Sequence, residues 1–113
     1  HAGYDDSKSL EDQNNQQRIW GRTIFHTKQT LDPDRQIIVG HTPVQTLNRL
    51  GKEEIWTSEI NLADGRPSVL CIDTGVFLET KLYPRLTALN LINGQTISQE
   101  RVENYWFNSQ PVN

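Results

Sequence analysis

Apolar residues along the first third of the chain follow a helical spacing after a polar start. Residues 4 to 17 are mostly Asp, Asn, Gln and Ser, which predicts an exposed loop that runs into a helix. From about Gln13 to Lys28 apolar positions recur every three or four residues, and this spacing predicts an amphipathic helix with Gly21 as its weak point. The Leu-Asp-Pro-Asp sequence at 31–34 ends that helix.

A short run of branched apolar residues comes next. Gln36 to Val39 is nearly all apolar and ends at Gly40, which predicts a strand buried on both faces rather than a strand at a sheet edge. It leads directly into the sequence Gly-His-Thr-Pro. Val44 to Arg49 then predicts one or two helical turns.

The second half of the chain has the alternation and the turn signals of β-structure. Segments 54–62 and 68–72 flank an Asp-Gly turn, and segments 86–92 and 95–98 flank Asn93-Gly94, which predicts a two-residue turn. Two hairpins in a β-meander are therefore expected.

The tail and the order of elements complete the prediction of the fold. Residues 100–113 contain Tyr105-Trp106-Phe107 and predict either a short helix that packs an aromatic cluster or a frayed end. One helix, one buried strand that leads into a histidine loop, and a β-meander together predict a single α/β domain over residues 1–113.

Composition narrows the classes of function. A chain of 113 residues has the size of one domain, and 35% hydrophobic with 22% charged residues is compatible with a folded core. The net charge of −3 and the absence of any Lys/Arg cluster argue against nucleic acid as a partner. No apolar stretch approaches the ~20 residues of a membrane span and no signal-peptide pattern is present, so we expect a cytoplasmic protein with no membrane partner.

Two further features of composition concern the chain itself. The sequence contains no methionine and starts at His1, which leads us to expect a piece of a longer protein. Its single cysteine, Cys71, lies in an apolar run and predicts a buried structural thiol.

His41 is the first candidate functional residue. It follows a strand predicted to be buried and parallel, and the carboxyl ends of such strands are where open α/β sheets bind ligands. Imidazole serves there as a metal ligand or as a proton carrier, and Gly40 with Pro43 would hold the turn rigid. The alternative is a histidine that hydrogen-bonds within its own loop.

The other histidines and the first carboxylates are weaker candidates when they are considered alone. His26 lies near the end of the predicted helix, where a solvent-facing histidine is the expected interpretation. His1 by itself would be dismissed as a tag remnant or a frayed end, because a terminus offers no scaffold. Asp5 and Asp6 are expected to be solvated loop charges.

Five short segments of the chain, taken in order, form a pattern. They are His-Ala-Gly-Tyr at 1–4, Gln-Arg-Ile-Trp-Gly-Arg at 17–22, Ile-Ile-Val-Gly-His-Thr-Pro at 37–43, Ile-Asp-Thr-Gly at 72–75 and Leu-Thr-Ala-Leu-Asn-Leu at 86–91. In this order they resemble the bacterial and phage lambda-type serine/threonine protein phosphatases of the calcineurin-like metallophosphoesterase family. The resemblance implies the C-terminal half of a metallophosphoesterase β-sandwich flanked by helices, an incomplete α/β/β/α four-layer fold.

The same resemblance implies a metal site and a phosphate contact. His1 and His41 would bind one of two divalent ions, with manganese expected and iron or zinc as alternatives. Arg22, in the Trp-x-Arg pattern, would contact the phosphoryl group of the substrate; otherwise it is an ordinary solvated helix arginine. Asp73 would either orient a ligand imidazole or cap its own turn.

Several family motifs do not occur in the chain. The family's Gly-Asp-x-His-Gly, Gly-Asp-x-x-Asp-Arg-Gly and Gly-Asn-His-Glu elements supply the metal carboxylates and the catalytic histidine, so no catalytic residue is expected here. In the complete protein the resemblance implies attack of metal-bound hydroxide on phosphorylated protein or a small phosphoester, with the missing N-terminal half as partner and the isolated chain inactive. The alternatives are a dinucleoside polyphosphate hydrolase and a non-catalytic interaction or regulatory fragment.

Overall fold

Two strands that are distant in sequence pair in parallel in the computed structural model. β1 (Ile37–Val39) runs alongside β3 (Val69–Cys71), and β2 (Trp56–Thr57) pairs antiparallel with the other edge of β3, giving the order β1-β3-β2. Parallel pairing brings the residues after β1 and those after β3 to the same end of the sheet. The structure describes residues 1–47, 55–79 and 83–102.

The described residues form a small mixed α/β domain with two short helices and two small sheets. The predicted strand at 36–39 is present and parallel, but the prediction that it is not an edge strand is wrong within the described residues, where β1 has one neighbour. Its residues Ile37 and Ile38 are only half-buried, while Val39 is buried. A run of β-branched residues predicts a strand, but it does not predict how many other strands pair with it.

The predicted helix of residues 13–28 is wrong in its extent. α1 (Asn15–Trp20) has six residues, its N-cap Asn14 accepts a hydrogen bond from the N–H of Gln17, and none of its residues is buried. The chain leaves the helix at Gly21, which is extended, and a separate 3-10 turn (Thr23–Phe25) follows. Within that turn Ile24 does reach the core.

The segment after the histidine loop forms α2 (Val44–Leu47), so the predicted helical turn begins where expected. Its predicted last residues, 48 and 49, lie outside the described part of the chain. Val44 and Gln45 are buried, and the amide of Gln45 donates to the carbonyl of Thr74 at 2.8 Å. α2 is thereby tied to the turn that follows β3.

Both predicted hairpins are present, with strand bounds that differ from the predicted ones. The first joins β2 to β3, and Gly65 takes a φ of 88° in its turn. The second joins β4 (Arg85–Leu89) to β5 (Thr96–Glu100) through six residues, 90–95. The N–H of Asn90 still donates to the carbonyl of Gln95, which leaves a four-residue turn at 91–94 with Gly94 at a φ of 73°. The prediction of a two-residue turn is therefore wrong, and so is that of one continuous meander, because the hairpins belong to separate sheets.

A cluster of buried side chains lies between the first sheet and the loops around it. Cys71 belongs to this cluster and is fully buried, which confirms the prediction of a structural thiol. Burial raises the pKa of the Cys71 thiol to about 11, and the thiol donates to the carbonyl of Thr42 at 3.2 Å. The members of the cluster are Tyr4, Ile24, Leu31, Val39, Val44, Val69 and Cys71.

A buried polar contact joins the start of the chain to the loop before β1. The hydroxyl of Tyr4 donates to the carboxylate of Asp32, which also accepts from the N–H of Asp34 and from the guanidinium of Arg35. The N–H of Asp34, with Arg35 beside it, holds the pKa of Asp32 below its ordinary value, while burial raises the pKa of Tyr4. The first residues of the chain are therefore part of the fold.

Helices that would span a bilayer are absent from the described ranges, where no helix has the necessary length and apolar character. The prediction for the aromatic tail falls on residues 103–113, which lie outside those ranges.

Candidate metal centre

The two histidines that the resemblance assigns to one ion lie side by side. His1 Nε2 is 2.9 Å from His41 Nδ1, although the residues are 40 positions apart. The ring centroids are 4.8 Å apart with an interplanar angle of 63°. The rings therefore converge through one nitrogen each.

The end of β1 positions His41. Its φ is 65°, and the N–H of Thr42 donates to the carbonyl of Gly40 at 2.7 Å, so His41 is the central residue of a tight three-residue turn. Such a conformation costs a non-glycine residue about 1–3 kcal/mol and is found most often at functional sites. Beyond the turn, the N–H of Val44 donates to the carbonyl of Asp73 at 2.8 Å, which fixes the histidine loop against β3.

His1 is held by two backbone hydrogen bonds of the peptide group that joins it to Ala2. Its carbonyl accepts the N–H of Gly40 at 2.8 Å, and the N–H of Ala2 donates to the carbonyl of Arg18 at 2.7 Å. Ala2, at 0% exposure, is fully buried. The expectation that a terminus offers no scaffold is therefore wrong for this chain, because β1 and the end of α1 together provide one.

Gly3 allows this close approach. A Cβ at Gly3 would lie 2.8 Å from the carbonyl oxygen of Gln17 and 2.9 Å from the Cα of Gly21. Contacts that short are not tolerated between a side chain and backbone, so the first residues pass over the end of α1 only where no side chain intervenes.

Trp20, the last residue of α1, touches the histidine pair. Its ring centroid lies 5.3 Å from that of His41 at an interplanar angle of 88°, an edge-to-face arrangement. The side chain is nevertheless 58% exposed. Sequence reasoning missed this contact because it assigned Trp20 to the buried face of a longer helix; the Trp-x-Arg pattern was the signal that could have placed it at the site.

Arg22 is exposed and lies two residues after Trp20 in the chain. Its Nε donates to the hydroxyl of Thr42 at 3.4 Å, a long and weak contact next to His41. Among the described residues its two terminal amino groups make no hydrogen bond. The guanidinium of Arg22 thus lies near the His1–His41 pair, and most of its N–H donors have no partner among the described residues.

Asp73 follows β3 at the same end of the sheet as His41. One carboxylate oxygen accepts the N–H of Gly75 at 3.0 Å, which is the turn-capping alternative. No hydrogen bond from Asp73 to either imidazole is formed within the described residues. The orienting role stays a prediction.

The early carboxylates and His26 lie outside the pair. Asp5 accepts from the N–H and hydroxyl of Ser7, and these hydrogen bonds lower the pKa of its carboxyl group. Asp6 accepts from the side-chain amide of Gln29. His26 is exposed and lines a separate cavity of about 580 Å³ together with Tyr4 and Asp5.

The donor set fits part of a metal site. Two nitrogens that are each ~2.1 Å from one ion are ~3.0 Å apart at a right angle and ~3.4 Å apart at the tetrahedral angle of zinc sites. The observed separation of 2.9 Å matches the right-angled spacing of an octahedral ion, and it equally matches a direct hydrogen bond between the rings. Within the described ranges no third histidine, cysteine, aspartate or glutamate joins the pair to complete a site.

Comparisons with known proteins give no match. No protein-family model, no curated protein and no solved structure matches the chain.

Proposed function

We propose that the chain is part of a metal-dependent phosphoesterase of the serine/threonine protein phosphatase type, with the fold of the calcineurin-like family. The single observation that supports this proposal is the 2.9 Å approach of His1 Nε2 to His41 Nδ1. The two residues come from separate segments of the chain, and both belong to the motifs that resemble that family.

The pair has the right chemistry for one ion of the manganese, iron or zinc group. Neutral imidazoles bind these ions through a ring nitrogen, and the two converging nitrogens are the atoms that would bind. A divalent ion at this position supplies Lewis acidity, which lowers the pKa of water and polarises a phosphoryl oxygen. The strain at His41 is consistent with a ring whose direction is set by function rather than by packing.

Arg22 is the residue that would bind the phosphoryl group. Its unused guanidinium donors match the oxygens of a phosphoryl group in number and geometry. Hydrolysis breaks the bond between phosphorus and the ester oxygen; water supplies the hydroxyl group that joins phosphorus and the proton that the leaving oxygen takes up. Arg22 would stabilise negative charge on the phosphoryl oxygens throughout this step.

The remaining ligands must come from outside the described residues, because two imidazoles do not close a dinuclear site. The family motifs that carry bridging carboxylates are absent from the whole sequence. We therefore expect the isolated chain to be inactive and a segment with those motifs to be its partner.

The decisive experiment compares histidine variants of the full-length protein. His41→Ala should reduce bound manganese, measured by elemental analysis, and should lower manganese-dependent hydrolysis of p-nitrophenyl phosphate by about 100-fold or more, the loss expected when a metal ligand or its support is removed. His26→Ala is the matched control, because His26 is exposed and lies apart from the pair. Equal metal content and rate in the two variants would overturn the proposal.

The alternatives differ in substrate. Hydrolysis of a diadenosine polyphosphate in preference to p-nitrophenyl phosphate and phosphoserine would assign the chain to a dinucleoside polyphosphate hydrolase instead. A full-length protein that binds no manganese and hydrolyses none of the three compounds would support the non-catalytic fragment.

A further inference from the structure

Trp20 is placed where an apolar side chain is not needed for folding. It ends a six-residue helix that buries none of its residues, and 58% of its side-chain surface is exposed. Tryptophan normally gains more than most residues from burial, so an exposed indole beside polar groups is unusual. Only the edge-to-face contact with His41 fixes the ring among the described aromatic contacts.

The neighbours of the indole suggest what binds to it. Arg22 is two residues further along the chain, which is at most ~7 Å of backbone. The guanidinium and the indole therefore flank the histidine pair from the same short segment, around Gly21. A small molecule that carries an anionic group next to a planar ring could bind the guanidinium of Arg22 with the anionic group and stack its ring on the indole of Trp20.

We propose that Trp20 is the platform on which the leaving group of the substrate stacks, so that the site prefers phosphomonoesters whose ester oxygen is bonded directly to an aromatic ring. This inference rests on the proposed metal-dependent phosphoesterase chemistry, and it departs from the serine/threonine substrates of that type, because the preferred esters are aryl rather than alkyl. In such esters the ring is one oxygen atom away from phosphorus, and it lies next to the indole when Arg22 holds the phosphoryl group. An alkyl ester such as phosphoserine presents no π-face there.

The size of the effect follows from stacking energies. Replacing a stacking aromatic residue by a small one costs about 1–3 kcal/mol per stacked ring, which corresponds to about 5- to 150-fold in binding. We therefore expect Trp20→Leu to lower kcat/KM for aryl phosphates by about ten-fold or more and to change kcat/KM for phosphoserine by less than about two-fold. Trp20→Phe, which keeps a π-face, should retain most of the aryl activity.

Trp20 has a second conceivable role, because its edge contact with His41 would also orient that imidazole. The two roles predict different results. A residue that only orients His41 acts on every substrate equally, so its loss lowers the rates for aryl and alkyl esters by the same factor. A platform lowers the rate for aryl esters alone.

The test uses the manganese-loaded full-length protein and four substrates, with p-nitrophenyl phosphate and O-phosphotyrosine as aryl esters and O-phosphoserine and glycerol 2-phosphate as alkyl esters. Each variant is compared with the wild type on the same substrate, so the intrinsic reactivity of each ester cancels. Ile19→Ala is the matched control, because Ile19 is also an exposed apolar residue on α1 but has no π-face. Calorimetric titration with phenylphosphonate and methylphosphonate gives a readout that does not depend on turnover.

Three outcomes are distinguishable. Selective loss of aryl hydrolysis and of phenylphosphonate binding in Trp20→Leu supports the platform. Hydrolysis by the wild type with equal losses for aryl and alkyl esters overturns the platform and leaves the phosphoesterase function standing. A wild-type protein that hydrolyses none of the four esters overturns both.

Discussion

The backbone of His41 has a φ of 65°, a region where the Cβ of an ordinary residue approaches the following carbonyl oxygen. Nothing about the Gly-His-Thr-Pro sequence requires this, since Gly40 precedes the strained position and would have accepted it at lower cost. The strain therefore falls on the residue whose side chain is the candidate ligand, and it directs that side chain toward His1.

Two substitutions at His41 separate the cost of this strain from the loss of the ring. Both His41→Ala and His41→Gly remove the imidazole, but alanine keeps a Cβ in the left-handed region at a cost of about 1–2 kcal/mol. Glycine removes that strain, but it lowers the free energy of unfolding by about 0.5–1 kcal/mol, because the more flexible unfolded chain loses more entropy on folding. The glycine variant should be more stable than the alanine variant by about 0.5–1 kcal/mol in urea unfolding.

The control for this comparison is the exposed helical residue Gln16. There the order should reverse, with Gln16→Gly less stable than Gln16→Ala, because a helix favours alanine. If glycine is also the less stable choice at position 41, the strained turn does not exist in solution.

At the residue scale, the resemblance predicted that His1 and His41 lie together, and the structure confirms this proximity but not a role as ligands. His1 and His41 were expected together only from the resemblance, because neither spacing nor composition relates residues that are 40 positions apart. The contact between Trp20 and His41 was not expected, since helical periodicity treats any apolar residue as part of the core. The cap formed by Asp73 was one of two alternatives, and a local Asp-Thr-Gly pattern was sufficient to suggest it.

At the scale of elements, the crossing of the first four residues over the end of α1 matters most for the site. Ala2 and Gly3 both direct their N–H groups at the carbonyl of Arg18, at 2.7 and 3.4 Å. α1 thus provides an acceptor for the segment that carries His1, and it presents Trp20 to His41 at the same end. One short helix end positions two residues of the site.

Gly3→Ala should break this arrangement. The new Cβ would lie within 2.9 Å of backbone atoms of Gln17 and Gly21, and backbone cannot move aside as a flexible side chain does. We expect a loss of about 1–3 kcal/mol in the free energy of unfolding, as for other overpacked positions. Cross-relaxation between the rings of His1 and His41, measured by NMR, should weaken at the same time.

Gly40→Ala is the informative control, since Gly40 is adjacent to the candidate ligand in sequence. A Cβ there would meet only the Cβ of Asp73 at 3.9 Å, an ordinary contact, so the variant should stay within about 0.5 kcal/mol of the wild type. A reversed order, with Gly40→Ala the more damaging change, would show that the close approach at Gly3 is not what holds His1.

Element types were more predictable than element lengths. The β-branched run before His41 and both hairpins were found from the sequence, because turn residues and branched side chains act locally. The end of α1 at Gly21 was not found, since a single glycine ends some helices and is accommodated in others. The turn at 91–94 has four residues instead of the expected two, because the backbone pairing of the hairpin ends at Asn90 and Gln95 rather than at Ile92 and Gln95.

At the scale of the whole molecule, the two sheets differ in how they are covered. The sheet of β1, β3 and β2 packs against the buried cluster, and Val69 and Cys71 of β3 are fully buried. The β4–β5 hairpin buries Arg85 and Thr87 on one face and leaves the other face open. The hydroxyl of Thr87 contacts those of Thr74 and Ser98, which joins the hairpin to the turn after β3.

Pairing between the strands of the first sheet was beyond local sequence signals. The parallel register of Ile37 with Val69 joins segments that are separated by a hairpin and a helical turn. Hydrophobic patterns predict that each segment is a strand, but they do not predict which of several similar strands pairs with it. The separation of the hairpins into two sheets could not be read from the sequence for the same reason.

The open face of the β4–β5 hairpin predicts self-association at high protein concentration. Leu86 is 63% exposed and Ile97 is 78% exposed, and both project from the same face, because their partners across the ladder are Gln99 and Ala88. An exposed apolar face on a sheet that has only two strands within the described ranges is a typical site of unwanted pairing. The double variant Leu86→Glu/Ile97→Lys should weaken self-association by at least about ten-fold in sedimentation velocity, since it replaces apolar contacts by charges that must be desolvated.

The same double variant should leave the free energy of unfolding within about 0.5 kcal/mol of the wild type for each substitution, because exposed side chains contribute little to folding. Gln99→Lys adds a charge to this face without removing an apolar side chain, so it separates the effect of charge from that of apolar surface. If Gln99→Lys disperses the protein as well as the double variant does, a charge introduced on this face, rather than removal of the apolar Leu86–Ile97 surface, is what weakens association. If the double variant unfolds the domain instead, that face is covered in solution, and the hairpin contributes to a core that extends beyond the described residues.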